Sequence, residues 1–210
     1  VMLGSYWGQR CAPPVMTLAT AGASLASGET LRIYDGATYL GNATVTVVAG
    51  GQSTWSYTDS RTLTNAQALS FTAQVADAAG NQSAAGTAYT ATVDTSAPST
   101  GTLSLSNYTD DGVSSSDFIA TDRTFDLTLS GQESGASVVY QVSTNSGSSW
   151  STTTAAQSNL SDGSYQFRAV VTDAAGNTAN TNVISLTVDN TAPTTTAAVT
   201  NLTDNGGSVT

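Results

Sequence analysis

The sequence predicts an all-β protein, and three observations lead to this prediction. Lys is absent and only two Glu occur among the 210 residues, whereas long helices favour Leu, Lys, Glu and Arg. Thr and Val, which suit the half-buried surface of a sheet, are abundant instead. In addition, VADAAGN (75–81) and VTDAAGN (171–177) are nearly identical, so one structural unit occurs at least twice.

The repeat extends beyond this stretch and has a period of about 95 residues. A period of this length is too long for a solenoid unit and fits an immunoglobulin-like sandwich. The matched pairs are Asp77 and Asp173, Gly80 and Gly176, Asn81 and Asn177, Asp94 and Asp189, and Pro98 and Pro193. The same residues therefore return in the same order in both copies.

Each copy closes on the pattern VDxxAP, in which a strand is followed by a proline that cannot donate to a sheet ladder. We therefore expect tandem immunoglobulin-like β-sandwich domains arranged end to end. The predicted limits are 12–97 for the first domain and 98–193 for the second. Residues 194–210 are predicted to start a third repeat or form a C-terminal stub, and residues 1–11 match nothing in the repeat.

Alternating residues predict the strands and the core of each copy. The inward-facing sets are Leu69, Phe71, Ala73 and Val75, Tyr89, Ala91 and Val93, Tyr165, Phe167, Ala169 and Val171, and Ile184, Leu186 and Val188. One tryptophan per copy, Trp55 and Trp150, is predicted to complete the core. Hairpin turns are predicted at the glycine-containing stretches 49–51 and 145–148.

The charge of the chain excludes two classes of partner. The net charge is −10 and the isoelectric point is about 4.1. Nucleic-acid binding requires a basic patch that displaces counterions, and an anionic membrane surface likewise attracts basic segments. We therefore expect neither nucleic acid nor membrane insertion.

Missing residue types restrict the chemistry. The chain has no His and no Lys, which excludes histidine general-base catalysis, histidine zinc ligation and Schiff-base chemistry. Cys11 is the only cysteine, so no internal disulfide can form. We expect the chain not to be an enzyme, and a metal is the obvious alternative to a disulfide for stabilising it.

Aspartate dominates the acidic residues, with thirteen Asp against two Glu. Short carboxylates suit both turns and calcium sites, in which six to eight oxygens surround the ion. Asp77 and Asp94 lie at strand ends of the first copy, close to where the second begins. The opening segment of the second copy adds Asp110, Asp111, Asp117 and Asp122. Carboxylates of two domains could thus meet around Ca²⁺ at the junction.

The alternative is that each aspartate serves only its own loop. In DAAGN, Asp can bond the backbone of its own turn, with Gly and Asn at positive φ, and Asp94 can be an ordinary surface residue. The loop DDGVSSSD is not an EF-hand, because the ligand spacing and the closing Glu are missing. Both hypotheses stay open on the sequence.

Taken together, these repeated motifs resemble those of a known protein family. DAAGN followed by VDxTAP at this period resembles the bacterial immunoglobulin-like (BIg-type) extender repeats of giant repetitive surface adhesins, many of them RTX proteins exported by type I secretion. ETLRIYDGATYLGNATV (29–45) and VVYQVSTNSGSSW (138–150) resemble strand pairs of such repeats. The resemblance covers almost everything from about residue 18 onward.

The resemblance implies sandwiches joined end to end, with Ca²⁺ stiffening each junction. For the first junction it implies Asp77, Asp94 and the loop with Asp110 and Asp111. For the second it implies Asp173, Asp189 and Asp204. Residues 14–28 open the first copy without any acid, which departs from this pattern and makes a calcium site at that end doubtful.

The function implied is a structural extender of an extracellular adhesin on a bacterial cell surface, acting in cell adhesion and biofilm formation. Its partners would be the neighbouring repeats, with a host, glycan or surface ligand bound by other regions. One alternative is a glycan- or protein-binding module that uses the aromatic residues Tyr34, Tyr39 and Tyr108. Another is an accessory module of a secreted enzyme.

Overall fold

The computed structural model describes residues 15–20, 25–48 and 52–197 and confirms the all-β prediction. All the regular secondary structure in these ranges consists of β-strands. The described residues include no helix that is long and apolar enough to cross a membrane.

The described residues of the first copy contain seven strands. They are β1 (Val15–Thr20), β2 (Thr30–Asp35), β3 (Thr38–Asn42), β4 (Thr44–Val48), β5 (Gln52–Thr58), β6 (Ala68–Ala76) and β7 (Tyr89–Thr92). One sheet has the strand order β1-β5-β4 and the other has the order β3-β2-β6-β7. All of these neighbours are antiparallel, so the copy has the two antiparallel sheets of a β-sandwich.

The core of the first copy joins the two sheets. Trp55 of β5 clusters with Ile33 of β2 and with Leu69 and Phe71 of β6, and Val93 completes the cluster. All five are buried, because alternate residues of a strand point to the same face. The core position of Trp55 and the inward positions of Leu69, Phe71 and Val93 are confirmed. Ala73 and Val75, also predicted to face inward, are only half-buried, whereas Ala76 next to them is fully buried.

Nine strands form the second copy. They are β8 (Thr100–Ser106), β9 (Ile119–Ala120), β10 (Phe125–Gln132), β11 (Ser137–Ser143), β12 (Ser151–Thr152), β13 (Ala156–Gln157), β14 (Gly163–Thr172), β15 (Thr178–Asn180) and β16 (Ile184–Val188). One sheet has the order β13-β10-β8, and the other has the order β12-β11-β14-β16-β9 with β15 beside β14. The short strand β9 runs parallel to β16.

Aromatic rings fill the core of the second copy. Phe125 of β10 meets Phe167 of β14 edge to face, with ring centroids 5.6 Å apart, and such pairs add to the stability that burial provides. Phe167 has no exposed surface, and Leu186 and Val188 of β16 are also buried. The predicted inward faces of β14 and β16 are confirmed.

The prediction for Trp150 is wrong. This residue is only half-buried, and its indole N–H donates to the carbonyl oxygen of Gly147 at 3.1 Å. It therefore packs over its own hairpin turn instead of entering the core. That turn is where it was predicted. Ser146 and Gly147 both have positive φ, of 56° and 82°, as the two central residues of a type I′ turn do, and Ser148 N–H donates to the Asn145 carbonyl oxygen. The turn predicted at 49–51 lies outside the described residues.

The chain divides into two compact units. One comprises residues 1–103, 129–140 and 168–182, and the other comprises residues 104–128, 141–167 and 183–210. Four of the limits between these units fall inside the strands β8, β10, β11 and β14, and the last falls between β15 and β16. The domain limits predicted from the sequence therefore stay a prediction.

The first copy also contains an ion-pair network that the sequence analysis missed. Asp59 is fully buried, and its Oδ2 accepts from Nη2 of Arg61 at 2.6 Å. Arg61 also donates through Nη1 to Asp35 Oδ2 at 3.0 Å. The second oxygen of Asp35 accepts from the main-chain N–H of Ser70 in β6. The network thus ties the loop after β5 to β2 and β6.

Candidate functional site

The first DAAGN stretch forms a self-contained corner after β6. Asp77 Oδ1 accepts from the main-chain N–H of Asn81 at 2.9 Å, and Asp77 Oδ2 accepts from Asn81 Nδ2 at 2.8 Å. Gly80 has a φ of 91°, which favours glycine. The carboxylate therefore holds the turn that follows it.

The second DAAGN stretch has the same geometry. Asp173 accepts from the main-chain N–H and from Nδ2 of Asn177, both at 2.9 Å, and Gly176 has a φ of 94°. Positive φ was predicted for the asparagines as well, but among the described residues neither Asn81 nor Asn177 adopts it. The asparagine contributes its side-chain amide and its main-chain N–H instead.

These contacts lower the pKa of both aspartates below the ordinary value. For Asp77 the side-chain hydrogen bond from Asn81 has the largest effect, and main-chain N–H groups add to it. For Asp173 the side-chain hydrogen bond from Asn177 likewise dominates. Hydrogen bonds to the ionised form favour that form, so both carboxylates are charged at neutral pH.

Asp94 and Asp189 begin the segments that follow the last strands. Asp94 Oδ1 accepts from Ser96 N–H at 2.9 Å, and Asp189 Oδ1 accepts from Thr191 N–H at 3.0 Å. This is the turn in which an aspartate bonds the backbone two residues on. In both copies the aspartate therefore shapes its own loop.

A second polar residue, not predicted from the sequence, supports each of these segments. Asn65 Oδ1 accepts from Thr95 N–H at 2.8 Å, and Asp162 Oδ1 accepts from Asn190 N–H at 3.0 Å. The sequence signal that could have identified them is their position, since Asn65 comes shortly before the long strand β6 and Asp162 directly before the long strand β14. Hydrogen bonds from Thr191 and Asn190 lower the pKa of Asp162.

Asp94 comes together with the second DAAGN corner. Asn177 Nδ2 donates to the carbonyl oxygen of Asp94 at 3.2 Å, besides its bond to Asp173. The predicted grouping of Asp94 with Asp77 does not occur among the hydrogen bonds of the described residues. The amide of Asn177, which was not a candidate, thus links the predicted ligands Asp94 and Asp173.

The loop between β8 and β10 contains the predicted ligands Asp110, Asp111 and Asp117, and also Asp122, the fourth acid of this segment. Each of them accepts a hydrogen bond from the main chain of the same loop. These bonds join Asp110 to Phe118 N–H, Asp111 to Thr121 N–H, Asp117 to Ile119 N–H, and Asp122 to the N–H groups of Thr109 and Thr124. The carboxylates therefore substitute for a regular ladder and fold an irregular loop.

Two oxygen atoms in this loop are buried without a hydrogen-bond partner, Asp110 Oδ1 and Tyr108 Oη. Burial raises the pKa of Tyr108 to about 12, and the charges of Asp110, Asp122, Asp111 and Asp117 add to this shift. Buried polar atoms normally have a partner in protein or bound solvent. These two atoms therefore depart from that rule within the described loop.

The backbone of the loop is strained at Phe118, which has a φ of 60° that is rare for a bulky residue. The conformation is held from several sides. Its N–H donates to Asp110, its carbonyl accepts from Thr187 N–H at 2.8 Å, and its ring stacks on Tyr108 with centroids 6.1 Å apart. Side chains of the loop and strand β16 therefore fix this residue together.

The described residues contain no group of three or more acidic side chains placed to hold a metal ion. Asp204, the remaining predicted ligand, lies outside the described residues. Among the described carboxylates, the buried oxygen without a hydrogen-bond partner is Asp110 Oδ1.

Residues 97–190 match the sequence model of a family described as bacterial Ig-like domain. No curated protein matches the chain. Among solved structures, the chain matches fibronectin(III)-like modules of CbhA from Clostridium thermocellum at 13% identity. The match covers 84% of this chain and 86% of that chain, with a TM-score of 0.42. Domains FN1–FN3 of chicken CNTN1 match at 8% identity over 86% of this chain and 62% of that one, with a TM-score of 0.32. The predicted resemblance is thereby supported for residues 97–190, which are similar to a bacterial Ig-like domain.

Proposed function

We propose that this chain is an extender segment of a bacterial cell-surface adhesin, in which Ig-like repeats follow one another and project a distal binding region. The role is mechanical, and the working parts are the repeats and the segments that join them. The observation that carries the proposal is that one corner and one closing segment are built twice with the same hydrogen bonds. A chain that needed a single binding site would have no use for two copies of this scaffold.

The joining segment supports a role in fixing repeat geometry. The stretch between β7 and β8 is short, its Pro98 is buried, and its Asp94 carbonyl accepts from Asn177 of the second copy. Proline restricts the backbone, and each hydrogen bond removes further freedom. In this proposal these features limit bending between repeats.

Calcium completes the proposal. A cation near Asp110 Oδ1 would satisfy a buried carboxylate oxygen that has no hydrogen-bond partner and would offset the charge of the neighbouring aspartates. Because no three described acids converge, the remaining ligands would be main-chain or amide oxygens, which Ca²⁺ accepts readily. Calcium would then stabilise the folded chain by binding it and not the unfolded chain.

The test is thermal unfolding and small-angle X-ray scattering in calcium and in EGTA. At a calcium concentration of about 100 times the Kd, the gain in unfolding free energy should be about 2.7 kcal/mol. Asp110→Asn should lose this gain, whereas Glu133→Gln, a change of an exposed acid elsewhere, should keep it. Unchanged melting and scattering in the two conditions would refute calcium stiffening, while an envelope that bends freely in both would refute the extender role itself.

One observation favours the alternative of a glycan-binding module. Tyr39 is 49% exposed and lies against Tyr34, with ring centroids 5.5 Å apart. The Arg32 guanidinium lies 5.7 Å from the Tyr39 centroid. Aromatic faces beside a charged group suit the stacking of a sugar. Binding on a glycan array that Tyr39→Ala abolishes would support this alternative over a purely mechanical role.

A further inference from the structure

Four Asn-x-Ser/Thr sequences, the acceptor pattern for N-glycosylation, lie within the described residues. They start at Asn42, Asn81, Asn107 and Asn159. All four asparagines are exposed, so exposure alone does not distinguish them. A fifth such sequence, at Asn201, lies outside the described residues.

The hydrogen bonds of the side-chain amide divide the four into two classes. Asn81 Nδ2 donates to Asp77 Oδ2 at 2.8 Å, and Asn107 Nδ2 donates to Asp126 Oδ2 at 2.6 Å. The reactive nitrogen of both is therefore bound to a charged acceptor, which makes the strong kind of hydrogen bond.

Asn42 has the opposite arrangement. Its Oδ1 accepts from Tyr39 Oη at 2.8 Å, and its Nδ2 has no acceptor in the described part of the chain. This contact orients the carboxamide and leaves the nitrogen free. Asn42 ends β3 and Thr44, which supplies the hydroxyl of the acceptor pattern, begins β4, so the pattern occupies the exposed connection between the two sheets.

Asn159 is held by its backbone and not by its side chain. Its φ of 53° places it in a bend after β13, and its carbonyl oxygen accepts from Arg123 Nη2 at 3.4 Å. Within the described residues its carboxamide forms no hydrogen bond. The hydroxyl residue Ser161 is also exposed. The asparagine and the hydroxyl residue of this acceptor pattern are thus both exposed.

We propose that Asn42 and Asn159 are N-glycosylation sites of the folded chain, and that Asn81 and Asn107 are not. The donor would be a glycosyl diphosphate, either a sugar nucleotide or a lipid-linked sugar. In the transfer, Nδ2 of the asparagine forms a bond to the anomeric carbon, the bond from that carbon to the phosphate oxygen breaks, and the diphosphate leaves. An amide proton passes to a base of the transferase.

The test compares the four sites in one molecule. The folded chain is incubated with a soluble sequon-dependent glucosyltransferase and UDP-glucose in one arm, and with an oligosaccharyltransferase and a lipid-linked sugar in the other. Site-resolved peptide mass spectrometry gives the occupancy of each asparagine, and synthetic peptides spanning each site measure its intrinsic reactivity. We expect Asn42 and Asn159 to react at least about tenfold faster than Asn81 and Asn107 in the folded chain, since one hydrogen bond to a carboxylate must otherwise break.

Two release variants make the hydrogen bond itself testable. Asp126→Ala frees the amide of Asn107, and Asp77→Ala frees that of Asn81, so each should raise the rate at that site alone to the level of Asn42. Thr44→Ala and Ser161→Ala should abolish modification at Asn42 and Asn159, respectively. Equal rates at all four sites of the folded chain would overturn the proposal. So would an absence of reaction at Asn42 and Asn159 in both arms when their peptides react.

Discussion

Removing the guanidinium of Arg61 should destabilise the first copy strongly. In Arg61→Ala the carboxylate of Asp59, which is fully buried, loses its counter-ion, and Asp35 loses a partner as well. Breaking a buried ion pair from one side costs about 3–5 kcal/mol. The Arg61 side chain is itself 34% exposed, so water can enter the gap that it leaves, and we expect about 3 kcal/mol.

The loss should depend on pH. Burial alone would raise the pKa of Asp59, but the hydrogen bonds and charge of Arg61 lower it below the ordinary value of 3.8. A carboxylate with a lowered folded pKa stabilises the fold above its unfolded pKa, and that stabilisation disappears as the pH falls through the folded pKa. In Arg61→Ala, burial is opposed only by the hydrogen bond from the main-chain N–H of residue 61 to Asp59 Oδ1. The pKa of Asp59 should therefore rise, and the variant should lose stability as the pH rises above about 4.

Urea unfolding monitored by circular dichroism between about pH 3 and pH 7 would measure both effects. The difference between Arg61→Ala and the parent should be largest near neutral pH and shrink in acid. Asp59→Asn combined with Arg61→Ala should recover most of the loss, because no buried charge is left. Arg123→Ala, which removes an exposed arginine, is the control for loss of an arginine. A pH-independent loss, or one of under about 1 kcal/mol as at an exposed ion pair, would refute the reasoning.

Three further predictions concern the second copy. Gly112→Ala would place a Cβ 2.3 Å from the carbonyl oxygen of Ile119, so we expect urea unfolding to show a loss of about 1–3 kcal/mol in unfolding free energy. Gly86→Ala is the control and should be nearly neutral, because its Cβ would lie 3.4 Å from the Ala73 carbonyl oxygen. Tyr108→Phe should be neutral or stabilise the fold by up to about 1 kcal/mol, because it removes a buried hydroxyl without a partner. The variant should also lose the tyrosine absorbance change near pH 12. A clear destabilisation would mean that the hydroxyl has a partner. Asp162→Ala should lower the melting temperature at pH 7 but not in strong acid, because a carboxylate with a lowered pKa stabilises the fold only above its unfolded pKa. An equal drop in melting temperature at both pH values would contradict this.

The strands and the core could be read from the sequence because they follow a period of two. The alternation around Phe71 and Phe167 is local, and each set of inward residues contains buried members, although several residues near the strand ends are only half-buried. The prediction for Trp150 was wrong because its side chain lies beside a tight turn, where the indole N–H has a carbonyl acceptor in the same hairpin. Hydrophobicity alone does not distinguish that location from a core position.

The candidate site was predicted less completely. The DAAGN turns were recognised, since Asp before Gly is a local signal. The hydrogen bond from the Asn177 side-chain amide to the Asp94 carbonyl oxygen joins residues 83 positions apart. The ion pair of Arg61 with Asp35 joins residues 26 positions apart. No local sequence pattern predicts such contacts. Which carboxylate in the loop 109–124 lacks a partner likewise depends on how the loop closes, and this requires the three-dimensional structure.

The corner formed by Asp77 and Asn81 has a consequence for how such a gene can change. Its carboxylate and its amide satisfy each other within five residues, and the corner of Asp173 and Asn177 does so again. Duplicating or deleting one copy therefore leaves no carboxylate stranded at a new boundary. Recombination between copies can lengthen or shorten the array while every remaining corner stays complete.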